Sequence, residues 1–158
     1  MDAVRKELTN LVEDLRPQPI TGQDFSQLIH DQMLEWSERS GIEVDFNIEG
    51  ERELPLGTRE VLFRITQEAL ANVTRHSSAS LAVVRLKYER DTVMLIIQDN
   101  GTGFDPLAQH DGIGLSSMRE RAEVSGGSFT LESTPGEGTK IVVTLPAGIK
   151  ESIDDGCN

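Results

Sequence analysis

Four short segments, in a fixed order along the chain, constrain this sequence more than anything else in it. The first is Gln67-Glu68-Ala69-Leu70-Ala71-Asn72, set in a stretch with helical periodicity. The other three carry glycines: Asp99-Asn100-Gly101-Thr102-Gly103-Phe104, Gly112-Ile113-Gly114-Leu115 and Gly136-Glu137-Gly138-Thr139. A lone glycine pair marks only a turn. Four such segments between apolar elements, with carboxylate and amide side chains among them, read together as a nucleotide pocket.

The rest of the composition sets bounds on that reading. A length of 158 residues suits one compact domain, and the 37% of hydrophobic residues are spread widely enough to form a core. No stretch approaches the roughly 18 consecutive apolar residues of a membrane span. The single Cys157 excludes an internal disulfide and fits a reducing compartment. A net charge of −12 argues against nonspecific nucleic-acid binding, which needs clustered Lys and Arg. An anion such as ATP would then need a divalent metal and local cations to overcome that field.

Hydrophobic spacing divides the chain into elements. Val4, Leu8, Leu11, Val12 and Leu15 recur at helical intervals over residues 1–16, and Pro17 and Pro19 end that run. A second helix is predicted from Thr21 to Ser40, with Phe25, Leu28, Ile29, Met33 and Trp36 on its buried face and Gly41 as its C-cap. From Ile42 the period becomes two, the mark of a strand with one wet face. A helix is predicted from Thr58 to His76, then strands at 81–90 and 92–98 joined by a tight turn at Arg90-Asp91. The second of these holds Val93-Met94-Leu95-Ile96-Ile97, an apolar run suited to a central strand. Residues 100–114 read mostly as loop, Leu115 to about Val124 as helix, and Gly126-Gly127 stops it. Strands at 128–133 and 139–145 close the domain, and residues from 147 onward read as a flexible tail. The expected fold class is α+β: a two-layer α/β sandwich, with a mixed sheet of about five strands and helices on one face.

At 100° per residue, Val61, Ile65, Glu68, Asn72 and His76 share one sector of the predicted helix, beside Leu62, Ala69 and Val73. Glu68 and Asn72 therefore stand one turn apart on its core-facing side. A carboxylate buried without a partner is costly, so the two are either paired or line a cavity. The glycine segments favour the cavity. Asp99, ending the most apolar strand, can accept a hydrogen bond from an exocyclic amine such as adenine N6, and Gly101 and Gly103 let a flat ring approach the backbone. Gly112 and Gly114 open a helix whose free N–H groups suit phosphate. Arg75, His76, Arg119 and Arg121 are the cation candidates, and Thr139 offers a hydroxyl to the pocket floor.

With these residues in place, the chain resembles the ATP-binding catalytic domain of bacterial sensor histidine kinases, in the GHKL superfamily that includes the ATPase domains of gyrase, MutL proteins and the large heat-shock chaperones. Residues 67–76 match the N box, 99–104 the G1 box, 112–115 the G2 box and 136–139 the G3 segment, within a match spanning about residues 42–146. The pattern Gln-Glu-Ala-x-x-Asn-x-x-x-His from Gln67 to His76 is similar to that of the nitrate-, cell-envelope- and membrane-fluidity-sensing kinases. So is the run of Gly112 to Leu115 with Met118, Glu120 and Arg121. The separate phenylalanine-rich box of other histidine kinases is not evident, which fits that subfamily.

The resemblance implies a Bergerat-type fold, ATP and Mg²⁺ as cofactors, and a set of roles. Asn72 would ligate Mg²⁺ between the phosphates, and Asp99 would read the adenine. Gly101, Gly103, Gly112, Gly114 and Leu115 would shape the pocket and its short lid, with Arg75, His76 and Thr139 as further nucleotide contacts. Glu68 is either the base that activates water, as in the ATPase relatives, or a residue of the metal's shell. The implied partners are ATP or ADP, a phosphoacceptor histidine on a dimerisation hairpin, and a response regulator, with the whole kinase a cytoplasmic-facing homodimer. Neither nucleic acid nor direct membrane contact by this domain is expected.

A histidine kinase also needs its acceptor histidine. His76 closes the N box and His110 falls in the lid, while His30-Asp31 only superficially resembles an acceptor pair. In the family the acceptor lies upstream of an Asp-Leu-Arg-Pro-like segment, found here at Asp14-Leu15-Arg16-Pro17. Residues 1–17 then read as the end of the hairpin's second helix, 18–41 as a connecting helix and 42–146 as the catalytic domain. This chain is expected to bind ATP and to lack self-phosphorylation. A GHKL-type ATPase and a nucleotide-gated interaction module without phosphotransfer are the alternative readings.

Overall fold

The computed structural model describes residues 24–106 and 113–148. The expectations for residues 1–17, for Gly112 and for His110 lie outside these residues.

Helix α1 runs Phe25–Ser40 and is closed at both ends by its own sequence. The Asp24 carboxylate accepts the Ser26 N–H, and Gly41 takes a left-handed conformation that lets its N–H reach the Ser37 carbonyl. Its Phe25, Leu28, Ile29, Met33 and Trp36 are buried, as the helical spacing predicts. Strand β1, Glu43–Glu49, alternates half-buried and exposed residues. Helix α2, Leu56–Asn72, starts two residues before the predicted Thr58, because Pro55 presets the φ of the entry and its carbonyl takes the Arg59 N–H. The chain then continues as a π turn, Val73–Ser77. Strand β2 is Leu81–Tyr88 and β3 is Thr92–Asp99, with the Glu89 N–H closing the turn on the Thr92 carbonyl. Helix α3, Ile113–Val124, leads into β4, Ser128–Ser133, and β5, Thr139–Pro146.

The five strands form one mixed sheet in the order β1-β2-β3-β5-β4. β1 and β2 pair in parallel across the α2 crossover, and every other pairing is antiparallel. β3 takes the middle position that its apolar run predicts. Val93, Leu95 and Ile97 are buried on one face with Ala82, Val84 and Leu86 of β2 and Ile141, Val143 and Leu145 of β5. The helices contribute Met33, Leu62, Ile65, Leu70 and Met118 to that core. The fold is thus α+β, two layers, and the other sheet face is half exposed and mixed, with Val83, Met94, Ile96 and Val142 beside Arg85, Gln98 and Thr144.

One boundary is corrected. Ala147, assigned to a flexible tail from sequence, is 1% exposed and its N–H donates to the Asp91 carbonyl. Arg52 then donates to the Gly148 carbonyl at 3.2 Å. The two residues after β5 are held by Asp91 of the β2–β3 turn and by Arg52, contacts that local periodicity does not register. No helix among the described residues is long and apolar enough to cross a membrane.

Candidate functional site

The site is assembled from the C-terminal half of α2 and its π turn, the end of β3 with the loop after it, the first turn of α3, and the β4–β5 hairpin. Seven residues are almost two helical turns, so Glu68 and Arg75 lie on one stripe of α2 and its continuation. One guanidinium nitrogen of Arg75 meets the Glu68 carboxylate at 3.3 Å and the Asn72 amide oxygen at 3.1 Å. The side chains of Arg75 and Glu68 are 54% and 37% exposed, so this pair contributes little to stability. Glu68 and Asn72 are each hydrogen-bonded to Arg75.

The α3 helix meets this cluster at Gly114. A Cβ there would fall 2.2 Å from Glu68 Oε2, so only glycine lets the carboxylate sit against the helix's first turn. That position also suits negative charge, because free N–H groups and the positive end of the helix dipole gather there. Leu115, the next residue, is half buried and packs on the core.

Asp99 is 6% exposed, on the helix-covered face of β3. Its carboxyl is pushed above the ordinary range, chiefly by desolvation, while N–H groups of Gly101 and Thr139 act in the opposite sense. Gly101 donates to Oδ1 at 2.8 Å. A carboxylate offers about four acceptor positions, so two backbone donors leave room for a ligand amine.

The glycines of the loop and hairpin serve the protein's own backbone. Gly103 has φ +65°, and a Cβ on it would lie 2.2 Å from the Thr134 carbonyl oxygen and 2.8 Å from that of Gly138. Gly138 has φ +82°, and its Cβ would lie 2.1 Å from the Asp99 carbonyl oxygen. The direction a Gly103 side chain would take is thus filled by the hairpin backbone. The Gly136 N–H donates to the Thr102 carbonyl, binding loop to hairpin a second time.

Sequence reasoning missed Ser133. Its hydroxyl receives the Phe104 N–H at 2.8 Å, donates to the Gly138 carbonyl at 3.1 Å and pairs with the Thr139 hydroxyl at 2.8 Å. Thr139 stands opposite Asp99 in the β3–β5 register. Asn100 is also occupied: its Oδ1 accepts the N–H groups of Ser80 and Leu81, each at 3.0 Å, which pins the start of β2. Only register and side-chain contact reveal these roles, and a serine and an asparagine in turns carry no distinguishing signal.

Other candidates are placed elsewhere. Arg119 lies over the Phe129 ring at 4.9 Å, away from the Glu68 cluster, and its guanidinium donates to the Phe129 carbonyl. Arg121 is exposed on α3. His76 belongs to the π turn by its backbone. His30 is exposed on α1, with its ring 5.9 Å from that of Phe46. A cleft of about 180 Å³ beside the hairpin is lined by Gln98, Glu132, Thr134 and Lys140. It shares Thr139 and Gly138 with the candidate set but none of the α2 residues, so we do not equate it with the site.

The donor set fits a hard cation only in company. Glu68 and Asn72 supply two oxygens, and no group of three or more His, Cys, Asp or Glu side chains able to hold a metal occurs among the described residues. Six-coordinate Mg²⁺ would take its remaining ligands from phosphate oxygens and water.

Comparisons of sequence and fold relate the chain to known proteins. The family described as histidine kinase-, DNA gyrase B- and HSP90-like ATPase matches residues 57–149. The sensor protein VraS of Staphylococcus aureus is 35% identical over 150 residues, covering 94% of this chain and 43% of VraS. VraS of Staphylococcus epidermidis is 35% identical over 147 residues, covering 92% and 42%. The chain thus spans less than half the length of the curated relatives it matches. Among solved structures, the histidine kinase domain of the Erythrobacter litoralis EL346 blue-light activated kinase superposes with a TM-score of 0.63 at 16% identity, covering 78% of this chain and 61% of that one. The mycobacterial sensor histidine kinase MprB gives 0.60 at 21%, covering 78% and 95%. At these identities the structural likeness is one of fold.

Proposed function

The chain belongs to the histidine kinase-, DNA gyrase B- and HSP90-like ATPase family, and from that premise we propose that it transfers the γ-phosphoryl group of ATP to a histidine. It is the ATP-binding catalytic domain of a sensor kinase. The acceptor histidine lies on a dimerisation hairpin, and a response-regulator aspartate receives the phosphoryl group next. The domain works on the cytoplasmic side, within a homodimeric kinase.

The observation that carries this reading is the meeting of Glu68, Asn72 and Arg75 at one point, two hard oxygens and one cation, beside the first turn of α3. Such a cluster suits the phosphate end of a nucleotide. Asp99 suits the other end, since an adenine amine returns to its buried carboxylate the hydrogen bonding that desolvation removed. Arg75, more than half exposed, is free to turn from its two oxygens toward phosphate oxygens. Asn72 would hold the metal through its amide oxygen, with the Glu68 carboxylate beside it. When bound, Mg²⁺ supplies charge neutralisation across the phosphates, the main requirement of phosphoryl transfer. Gly101 and Thr139 keep Asp99 oriented, and the Gly103–Gly138 contact keeps the loop against the hairpin.

The test is a calorimetric titration with ATP and ADP, with and without Mg²⁺, on this chain and on Asp99→Asn. Saturable binding lost in the variant supports the adenine pocket, and phosphotransfer to a separately supplied acceptor hairpin then supports the kinase reading. A folded wild-type chain that binds neither nucleotide overturns it.

A further inference from the structure

The π turn after α2 is held from outside the helix. Its second residue, Thr74, receives the indole N–H of Trp36 on α1 at 2.9 Å. The same hydroxyl donates to the Leu70 carbonyl at 3.1 Å. The Leu70 carbonyl also takes the Val73 N–H, which it shares with the Ala69 carbonyl. Trp36 is the sole tryptophan, buried at 6% exposure, and its ring would pack in the core with or without the hydrogen bond. The residue after Thr74 is Arg75.

We propose that Trp36 is a positioning residue for the phosphate end of the nucleotide site, holding Thr74 so that the π turn delivers Arg75 to the oxygens of Glu68 and Asn72. The proposal rests on the reading that this cluster faces phosphates. The physical cause is placement. The Thr74 hydroxyl is held between the Trp36 indole and the Leu70 carbonyl, so the backbone that carries Arg75 cannot shift from its place beside Glu68 and Asn72 without breaking one of those bonds. α1 thereby touches the chemistry without contributing a group to it. A displacement of α1 would reach Arg75 through a single hydrogen bond.

The experiment compares ATP with adenosine, which shares the base and lacks the phosphates. Trp36→Phe removes the N–H and keeps an aromatic ring, while Thr74→Val removes the hydroxyl and keeps the indole, so a folding failure in one leaves the other to decide. Each is expected to weaken ATP binding about tenfold and adenosine binding less than about twofold. In the wild type Arg75→Ala should cost a similar factor for ATP, and in either variant background much less, since coupled residues are not additive. Equal loss for ATP and adenosine would show a packing effect and overturn the proposal. So would an Arg75→Ala penalty that is the same in all backgrounds. A wild type that binds adenosine but gains nothing from the phosphates would overturn the phosphate reading of the cluster. One that binds neither would overturn the nucleotide reading itself, and in both cases the proposal falls with it.

Discussion

Gly114 and Glu68 share one space: a Cβ on the glycine would stand 2.2 Å from the carboxylate oxygen and 3.0 Å from its carbon. The contact joins α2 to α3 at the point where the proposed phosphate site and a helix N-terminus meet. Its chemistry differs from that of Gly103 and Gly138, because the neighbour is the end of a flexible side chain and not backbone.

Gly114→Ala should therefore be mild for the fold and severe for the site. The Glu68 side chain can rotate away at little cost, so unfolding free energy should change by less than about 1 kcal/mol in urea titrations. ATP affinity should fall about tenfold as the carboxylate leaves its position. A large stability loss with unchanged affinity would contradict this account.

Gly138→Ala should behave in the reverse order. Its left-handed φ and the backbone of Asp99 both oppose a side chain, and a strained substitution of this kind costs about 1–3 kcal/mol or more. Gly103→Ala meets the Thr134 and Gly138 backbones and should cost a similar amount. Thermal melts of the two variants check this directly.

Asp99 links function to pH. Burial raises its folded pKa above the ordinary carboxylate value, so the folded state holds this proton more tightly than the unfolded state does. The stability it contributes is complete below the unfolded pKa and is lost as pH rises through the folded one. Asp99→Asn, which cannot ionise, should accordingly gain on the wild type as pH climbs from about 4 toward 7, the two converging in acid. The same variant should lose ATP binding. Denaturation midpoints across that range, beside one binding isotherm, test both halves.

Asn72→Ala should remove the dependence of ATP affinity on Mg²⁺ while leaving metal-free ATP binding within about twofold. Glu68→Gln separates the two roles open to that residue. If Glu68 orients the metal shell, phosphotransfer to an added hairpin should drop less than the roughly hundredfold or greater loss expected of a missing general base.

Much of this molecule is written in local patterns. The alternation through Val44, Phe46 and Ile48 marks β1, the run from Val93 to Ile97 marks a strand fit for the middle of the sheet, and Gly41 stops α1 where a left-handed cap is needed. The polar residues Glu68, Asn72 and Asp99 stand out because each interrupts such a pattern. The π turn leaves no such mark: apolar spacing through Val73 continues unbroken, and the contact of Thr74 with Trp36 comes from another helix.

The sequence alone determined which segments would be helix or strand, and which side chains were too polar for the faces they occupy, since both follow from the spacing of neighbours. Tertiary structure decided what those side chains meet. The insertion of β5 between β3 and β4 sets Thr139 opposite Asp99, and the approach of α3 to α2 puts Gly114 against Glu68. The hairpin's approach to the loop requires Gly103 and Gly138 to yield to backbone. Those encounters join residues far apart in the chain, and the free energy that selects them comes from burying a shared core, which no single segment encodes.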